Sequence, residues 1–315
     1  MIITGKKFSK PELSRVINGD VSLETNQDVI EKERLDHLLV KQHPEYNRSS
    51  LQQFIKSGYV TVDDKITQKP NTKIPQDAKI RLNVPDAPKL PPRPPVIYED
   101  ENVLVLNKPA GLLSMAKGEY CPEPTLENYG LLVHRLDRDT SGVVILAKNP
   151  ETQKMLRKQF QDRKTHKTYY AVVNGHPKLP EAMIDLPIAR NLKRPTTFQV
   201  DQNGKSSQTH YKVREQNERY SLLELKPTTG RTHQLRVHLK YIGTPILGDN
   251  VYGEGTNTKI PRLFLHAGAL EITIPGPNGG IRKTFVAELP TEFIEFFKQS
   301  NTLSPHYTTD SYKSQ

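Results

Sequence analysis

The stretch His134–Lys148, HRLDRDTSGVVILAK, decides the reading of this chain. Its second half, GVVILAK, is continuously apolar, as expected of a buried strand. Its first half is a polar loop feeding that strand, with Asp137 set between Arg135 and Arg138. Two arginines beside a carboxylate favour the charged form that serves as nucleophile or base. Asp139, Thr140 and Ser141 suit a plainer task, closing the turn on neighbouring backbone amides.

Working outward, NPETQKMLRKQFQDRK (149–164) has helical periodicity with Met155, Leu156 and Phe160 on its inner face. Upstream, PVIYEDENVLVLNKPAGL (95–112) is two apolar runs joined by a turn at Glu99–Asn102. Downstream, HKTYYAVVNG, THYKVRE, YSLLELKP and RLFLHAGALEITI read as strands, and THQLRVHLKYIG as a helix. Helices and strands mix without a regular βαβ rhythm. The fold class expected is α+β, built on a mixed, largely antiparallel central sheet.

PDAPKLPPRPP (85–95) carries six prolines in eleven residues and reads as a semi-rigid extended linker. It separates a small module (1–84, including an N-terminal extension) from a large one (96–299). The polar stretch 300–315 lacks periodicity and is expected to be a disordered tail. In the small module, Leu35, Leu38 and Leu39 sit at helical spacing. SSLQQFIKSG follows, with Ser49 or Ser50 as the expected N-cap and Gly58 as the stop. A strand at YVTV, a turn at Asp63–Asp64 and a strand near KIRLNV complete it. This pattern, with ERLDHLL and a basic second helix, resembles over about 50 residues the small RNA-binding domain first described in a ribosomal small-subunit protein. The resemblance implies an RNA-facing side formed by Arg48, Ser49, Gln52 and Lys56.

The net charge of +10 is concentrated: Asn149–Arg214 holds 13 Lys/Arg against 5 Asp/Glu, an excess of 8. Such an excess steers a protein toward polyphosphate, although a solvated basic surface has the same composition. No apolar run approaches membrane length, and MIITGKKFSK has no signal-peptide character. The single cysteine, Cys121, suits a reducing cytosol, so a cytoplasmic protein is expected. No phosphate-binding glycine motif, HExxH or GxSxG occurs. The expectation is therefore of no cofactor and no metal.

Three motifs remain, and together they resemble the RluA family of pseudouridine synthases from about Val96 to Pro290. HRLDRDTSG resembles the family's active-site signature, which implies Asp137 as the catalytic residue. KTYYAVVNG implies Tyr169 beside the reacting ring, and strand alternation sends Tyr170 to the opposite face. TTGRTHQLRVHLKYIGTPILGDNVYG (228–253) implies Arg231 as the ion-pair partner of Asp137. NKPAGL and RLFLHA are shorter similarities. After NKPAGL this chain reads LSMAKGE, where many relatives have a Val-His-Pro stretch.

The implied reaction is an isomerisation in structured RNA, ribosomal RNA preferred and transfer RNA open, by a monomer. It breaks the glycosidic bond, turns the uracil and rejoins it through carbon, consuming nothing. Asp137 can attack the anomeric carbon or remove a ribose proton, and the sequence separates neither route. Tyr169 can serve as base or as packing against the uracil. Arg135 can fill the place of the flipped nucleotide or brace the turn. Two other classes stay open: a uridine glycosylase, and a non-catalytic RNA-binding or ribosome-assembly factor.

Overall fold

Leu35, Leu38 and Leu39 are buried together, and that shared face makes Leu35–Gln42 (α1) the first helix of a small unit, residues 1–84. The computed structural model describes residues 32–84, 92–116, 123–253, 260 and 262–300. The expectations for the extension up to residue 31, for 85–91 of the proline-rich stretch and for 301–315 lie outside the described residues. Strand β1 (Lys32–Arg34) precedes α1, and α2 (Arg48–Lys56) follows it. The N-cap of α2 is Asn47, not Ser49 or Ser50: its Oδ1 accepts the Ser50 N–H at 2.8 Å. Asparagine caps as well as serine does, so the true start lay just ahead of the expected one. Gly58, at φ +81°, ends the helix.

Strands β2 (Val60–Val62) and β3 (Lys65–Ile66) form a hairpin through Asp63 and Asp64, both at positive φ (49° and 63°). Strand β4 (Lys73–Pro75) pairs with β1, and β5 (Ile80–Leu82), the strand expected near KIRLNV, pairs with β2. Among its described residues the small unit therefore has five strands where two were expected. The extra ones are two or three residues long, too short to show a period of two.

Asp36 organises this unit. It is fully buried and accepts bonds from Arg34 (2.9 and 3.1 Å), Arg48 (2.9 and 3.2 Å) and Gln52 (2.7 Å). Burial pulls its carboxyl upward, but the bonds from Arg34, Gln52 and Arg48 outweigh that and hold it well below the usual carboxylate range. Two residues expected to face RNA are thus engaged internally: the Gln52 amide is half-buried, and the Arg48 guanidinium is anchored while staying 50% exposed. Ser49 and Lys56 are exposed.

The larger unit, 85–315, is a ten-stranded sheet with a separate two-stranded hairpin. Strands β6 (Val96–Glu99) and β7 (Val103–Lys108) are joined where Asp100 Oδ1 accepts the Asn102 and Val103 N–H groups at 2.8 and 2.7 Å. Then come β8 (Leu131–Leu132), β9 (Ser141–Ala147), α3 (Pro150–Gln161, capped by Asn149) and β10 (His166–Asn174). Strand β11 (Glu181–Asp185) is followed by the hairpin β12 (Ile188–Arg190) and β13 (Phe198–Val200). Strands β14 (Gln208–Gln216) and β15 (Tyr220–Pro227) lead to α4 (Gln234–Tyr241). Strands β16 (Leu265–Gly276) and β17 (Gly279–Val286) and helix α5 (Thr291–Ser300) close the unit.

The order across the sheet is β11-β14-β15-β10-β16-β9-β7-β6, with β17 on β16 and β8 on β9. Only β16 and β9 pair in parallel, so the sheet is mixed and largely antiparallel, as expected. The continuous apolar character of β7 and β9 has a simple cause, a core on each face. Val103, Val105, Val143 and Ile145 pack with Leu156 of α3, whereas Leu104, Leu106, Val144 and Leu146 pack with Leu136 from the loop before β9. Gly142, at φ +114°, permits the parallel contact: a Cβ there would stand 2.2 Å from the Ala267 carbonyl oxygen. No helix among the described residues is long and apolar enough to cross a membrane.

Replacing Asp36 by Asn should lower the stability of the small unit by about 3 kcal/mol, because two guanidiniums lose their shared charge partner. Its folded pKa is depressed, so the stabilisation from Asp36 is complete above the ordinary carboxylate range and lost as pH falls below it. Amide exchange of α1 and α2 in the full chain at neutral pH checks this. Unchanged protection in Asp36→Asn would refute it.

Candidate active site

Asp137 stands in a loop that the backbone holds from behind. Lys108, at the end of β7, is fully buried, and its Nζ donates to the carbonyls of Pro109 (2.8 Å), Leu112 (2.7 Å) and Arg138 (2.8 Å). Burial pushes this ammonium down to about 7, against the pull of Asp139 and Asp137. The Gly111 N–H also donates to Arg138 O (2.9 Å), and Arg138 Nε donates back to Gly111 O (3.1 Å). On the other side of Asp137, Ser114 Oγ donates to Leu136 O (2.7 Å) and accepts the Leu136 N–H (3.1 Å). The shorter similarity NKPAGL thus has a mechanical meaning: it clamps the HRLDRDTSG loop.

From the front, Asp137 meets α4. Arg236 Nη1 donates to Asp137 Oδ2 at 3.3 Å, and His233 Nε2 lies 3.9 Å from the same oxygen. The expected ion pair with Arg231 is therefore made by Arg236, five residues later. The reason is local. Gln234 turns the loop by accepting Thr229 Oγ1–H (2.7 Å) and the Arg231 N–H (2.9 Å), and the Arg231 side chain runs to Ser206 O (3.1 Å). Helical geometry then carries Arg236 to Asp137.

Arg236 is itself locked by Asp249 of the LGDNVYG turn, through Nε to Oδ2 (2.7 Å) and Nη2 to Oδ1 (2.8 Å). Asp249 also accepts the N–H groups of Val251 (2.9 Å) and Tyr252 (3.0 Å). Burial alone would lower the guanidinium; the bonds and charge of Asp249, and then those of Asp137, raise it instead. Sequence reasoning missed Arg236, although one signal was available. An arginine between Leu235 and Val237 in a mostly buried helix needs a buried carboxylate.

His233, the N-cap of α4, has φ +55°, a left-handed backbone that costs a non-glycine residue strain. Its Nδ1 is 2.8 Å from the Tyr252 hydroxyl, which accepts the Phe198 N–H at 2.9 Å. The hydroxyl proton is then available to Nδ1, the tautomer in which the imidazole proton sits on Nε2, on the Asp137 side. Burial lowers this histidine's pKa against the opposing pull of Asp137.

The carboxylate of Asp137 is 20% exposed, and among the described residues no group bonds its Oδ1. It opens on a cleft lined by Arg135, Lys167, Tyr169, Gly230, His233 and Leu265, among others. Tyr169 and Lys167 project from β10, and Tyr170 is turned away, its ring lying over Gly268. Burial first, and then the charge of Asp137, raise the Tyr169 phenol above its ordinary value. Arg135 is exposed at the rim, its Nη1 3.5 Å from Met115 Sδ. His134 is not part of the cleft: it stacks on Phe160 at 4.5 Å, accepts the Ile145 N–H at 3.1 Å and is pushed down to about 3, chiefly by burial. Among the described residues no group of three or more His, Cys, Asp or Glu gathers to hold a metal.

Comparison with known proteins identifies the family. The RNA pseudouridylate synthase family matches residues 102–241, and the S4 domain matches 33–80. An uncharacterized RNA pseudouridine synthase of Aquifex aeolicus is 38% identical over 304 residues, covering 87% of this chain and 96% of its own. Ribosomal large subunit pseudouridine synthase D of Escherichia coli is 31% identical over 297 residues, covering 84% and 90%. The solved structure of human RNA pseudouridylate synthase domain containing 1 is 26% identical with a TM-score of 0.52, over 66% of this chain and 94% of that one. The chain therefore belongs to the RNA pseudouridine synthase family and is an enzyme of that class, with an S4 domain ahead of its catalytic unit.

Proposed function

We propose that this enzyme isomerises selected uridines of large-subunit ribosomal RNA, with Asp137 as its catalytic residue. The observation that carries the reading is the one-sided hold on Asp137, a residue lining the cleft: Arg236 bonds Oδ2, and among the described residues no group bonds Oδ1. A reacting carboxylate needs this, orientation at one oxygen and access at the other. Attack on the anomeric carbon and removal of a ribose proton both fit. The preference for ribosomal RNA rests on relatives named as large-subunit synthases and on the S4 domain. Arg34, Arg48, Ser49 and Lys56 are the side chains that the small unit offers an RNA backbone. Transfer RNA is less favoured, since a catalytic unit alone would suffice for a hairpin. The working unit proposed is a cytoplasmic monomer, a reading that the one-chain lining of the cleft supports.

The target base must leave its stack, at a cost of a few kcal/mol offset inside the pocket. Arg135, exposed beside Asp137, has the planar guanidinium to stack where the base was. Tyr169, its phenol raised by burial, enters as a neutral hydroxyl that packs on the uracil edge, not as a phenolate base. A proton leaving carbon 5 then passes through water or another group of the cleft.

Asp137→Asn and Asp137→Ala should abolish conversion on an unmodified ribosomal RNA transcript while leaving melting and RNA affinity nearly unchanged; mass-labelled pseudouridine detection reads this. Turnover within about tenfold of wild type in both would refute the assignment. Arg236→Lys should slow conversion about 100-fold, whereas Arg231→Met should stay within about tenfold. The reverse ranking would return the ion-pair role to Arg231. An enzyme starting near Val96 should convert a short hairpin but bind full-length RNA more weakly and with a shallower salt dependence. Equal salt slopes for the short and full chains would deny the small unit an RNA role.

A further inference from the structure

Lys167 is a half-buried charge that the mechanism above does not use. It lies two residues before Tyr169 on β10, and both line the cleft that Asp137 opens onto. Its Nζ donates to the Thr229 carbonyl at 3.1 Å, and among the described residues it has no other bond and no ion pair. An ammonium has three protons, so two are uncommitted. Among the described residues no carboxylate pairs with it. Asp137 is directed by Arg236, His233 and Tyr169 are neutral donors, Arg135 is a cation, and His134 behind it is held neutral. Gly230 keeps the approach open, since even a Cβ there would stay 3.9 Å from Nζ. A lysine partly withdrawn from water without a carboxylate partner costs stability, and such groups collect where a substrate supplies the charge.

Resting on the assignment of Asp137, we propose that Lys167 is a further catalytic residue, whose ammonium hydrogen-bonds a uracil carbonyl oxygen and stabilises the base as an anion while it is detached. When the C1′–N1 bond breaks, its electron pair stays on N1 and spreads to the two carbonyl oxygens. Asp137 meanwhile either bonds to C1′ or takes the ribose proton. Lys167 keeps its proton throughout. The pair returns in the new C1′–C5 bond as Asp137 is released, or regains its carboxylate form by returning the proton. The C5 proton then leaves and N1 takes one up, so nothing is consumed. A phosphate would suit an ammonium at the exposed rim; one that lines the cleft with Tyr169, half-buried, suits the base.

The test uses the full chain and an unmodified large-subunit ribosomal RNA transcript, with conversion followed at saturating enzyme in a single turnover. Lys167→Met should lower the rate about 100-fold while RNA affinity stays within about threefold, and Lys167→Arg should recover a tenfold part of that loss. Burial brings the Lys167 ammonium down to about 8, so the wild-type rate should fall as pH rises through that value. That limb should be missing in Lys167→Arg. Lys108 also titrates low but is common to both proteins, so the difference between them isolates Lys167. A wild-type rate for Lys167→Met at every pH, with Asp137→Asn inactive, overturns the proposal and leaves the Asp137 reading standing. An active Asp137→Asn sinks that reading instead. A loss confined to RNA affinity would make Lys167 a backbone contact and also overturn it. If Lys167→Met fails to fold, the pH profile of Lys167→Arg decides: a retained limb near 8 refutes the role.

Discussion

One buried guanidinium, Arg236, fixes the geometry on which the cleft depends. It can stay inside α4 only because Asp249 meets it with both carboxylate oxygens, and Asp249 is fixed in turn by the amides of Val251 and Tyr252. That pair is neutral as a unit. What it presents to Asp137 is one oriented donor, Nη1, at 3.3 Å, not an excess of positive charge. The LGDNVYG turn, the register of α4 and the strained backbone at His233 are all consequences of bringing that donor to one place.

The other half of the constraint is mechanical. Three carbonyls converge on the Lys108 ammonium, one of them from Arg138 next to Asp137, so the loop cannot shift without uncovering a buried cation. Gly142 continues the same logic into the sheet, because only a glycine lets β9 lie against β16 where the loop ends. Asp137 is thus held by backbone from behind and by charge from in front. Neither support alone would set the direction of a carboxylate to within the small tolerance that bond-making requires.

Much of this was legible in the residues. The double-sided burial of β7 and β9 showed as unbroken apolar runs, and the alternation of β10 separated Tyr169 from Tyr170. What was not legible depended on tertiary partners. The motif THQLRVH offers two arginines, and only the way Gln234 folds the preceding loop decides that Arg236, not Arg231, reaches Asp137. Likewise Arg48 and Gln52 look alike on a helical wheel with Ser49 and Lys56, but Asp36, twelve and sixteen residues away, claims the first two. Strands of two or three residues, such as β3 and β4, carry no readable period at all.

The arrangement of charges around the cleft follows the reaction more closely than it follows the resting site. On the role proposed for Asp137, either route removes its negative charge, into an ester or a protonated acid, and an equal charge appears on the uracil. A site that gripped Asp137 with every available cation would stabilise the start and oppose that displacement. This enzyme spends the strong two-pronged contact of Arg236 on Asp249 and gives Asp137 one longer bond. The cation without a carboxylate, Lys167, stands on the Tyr169 side, where the base is expected. With Asp137 and Lys167 in the proposed roles, charge leaving Asp137 moves from a weakly held position toward an unmatched ammonium, which is the condition for preferring the transition state over the bound substrate.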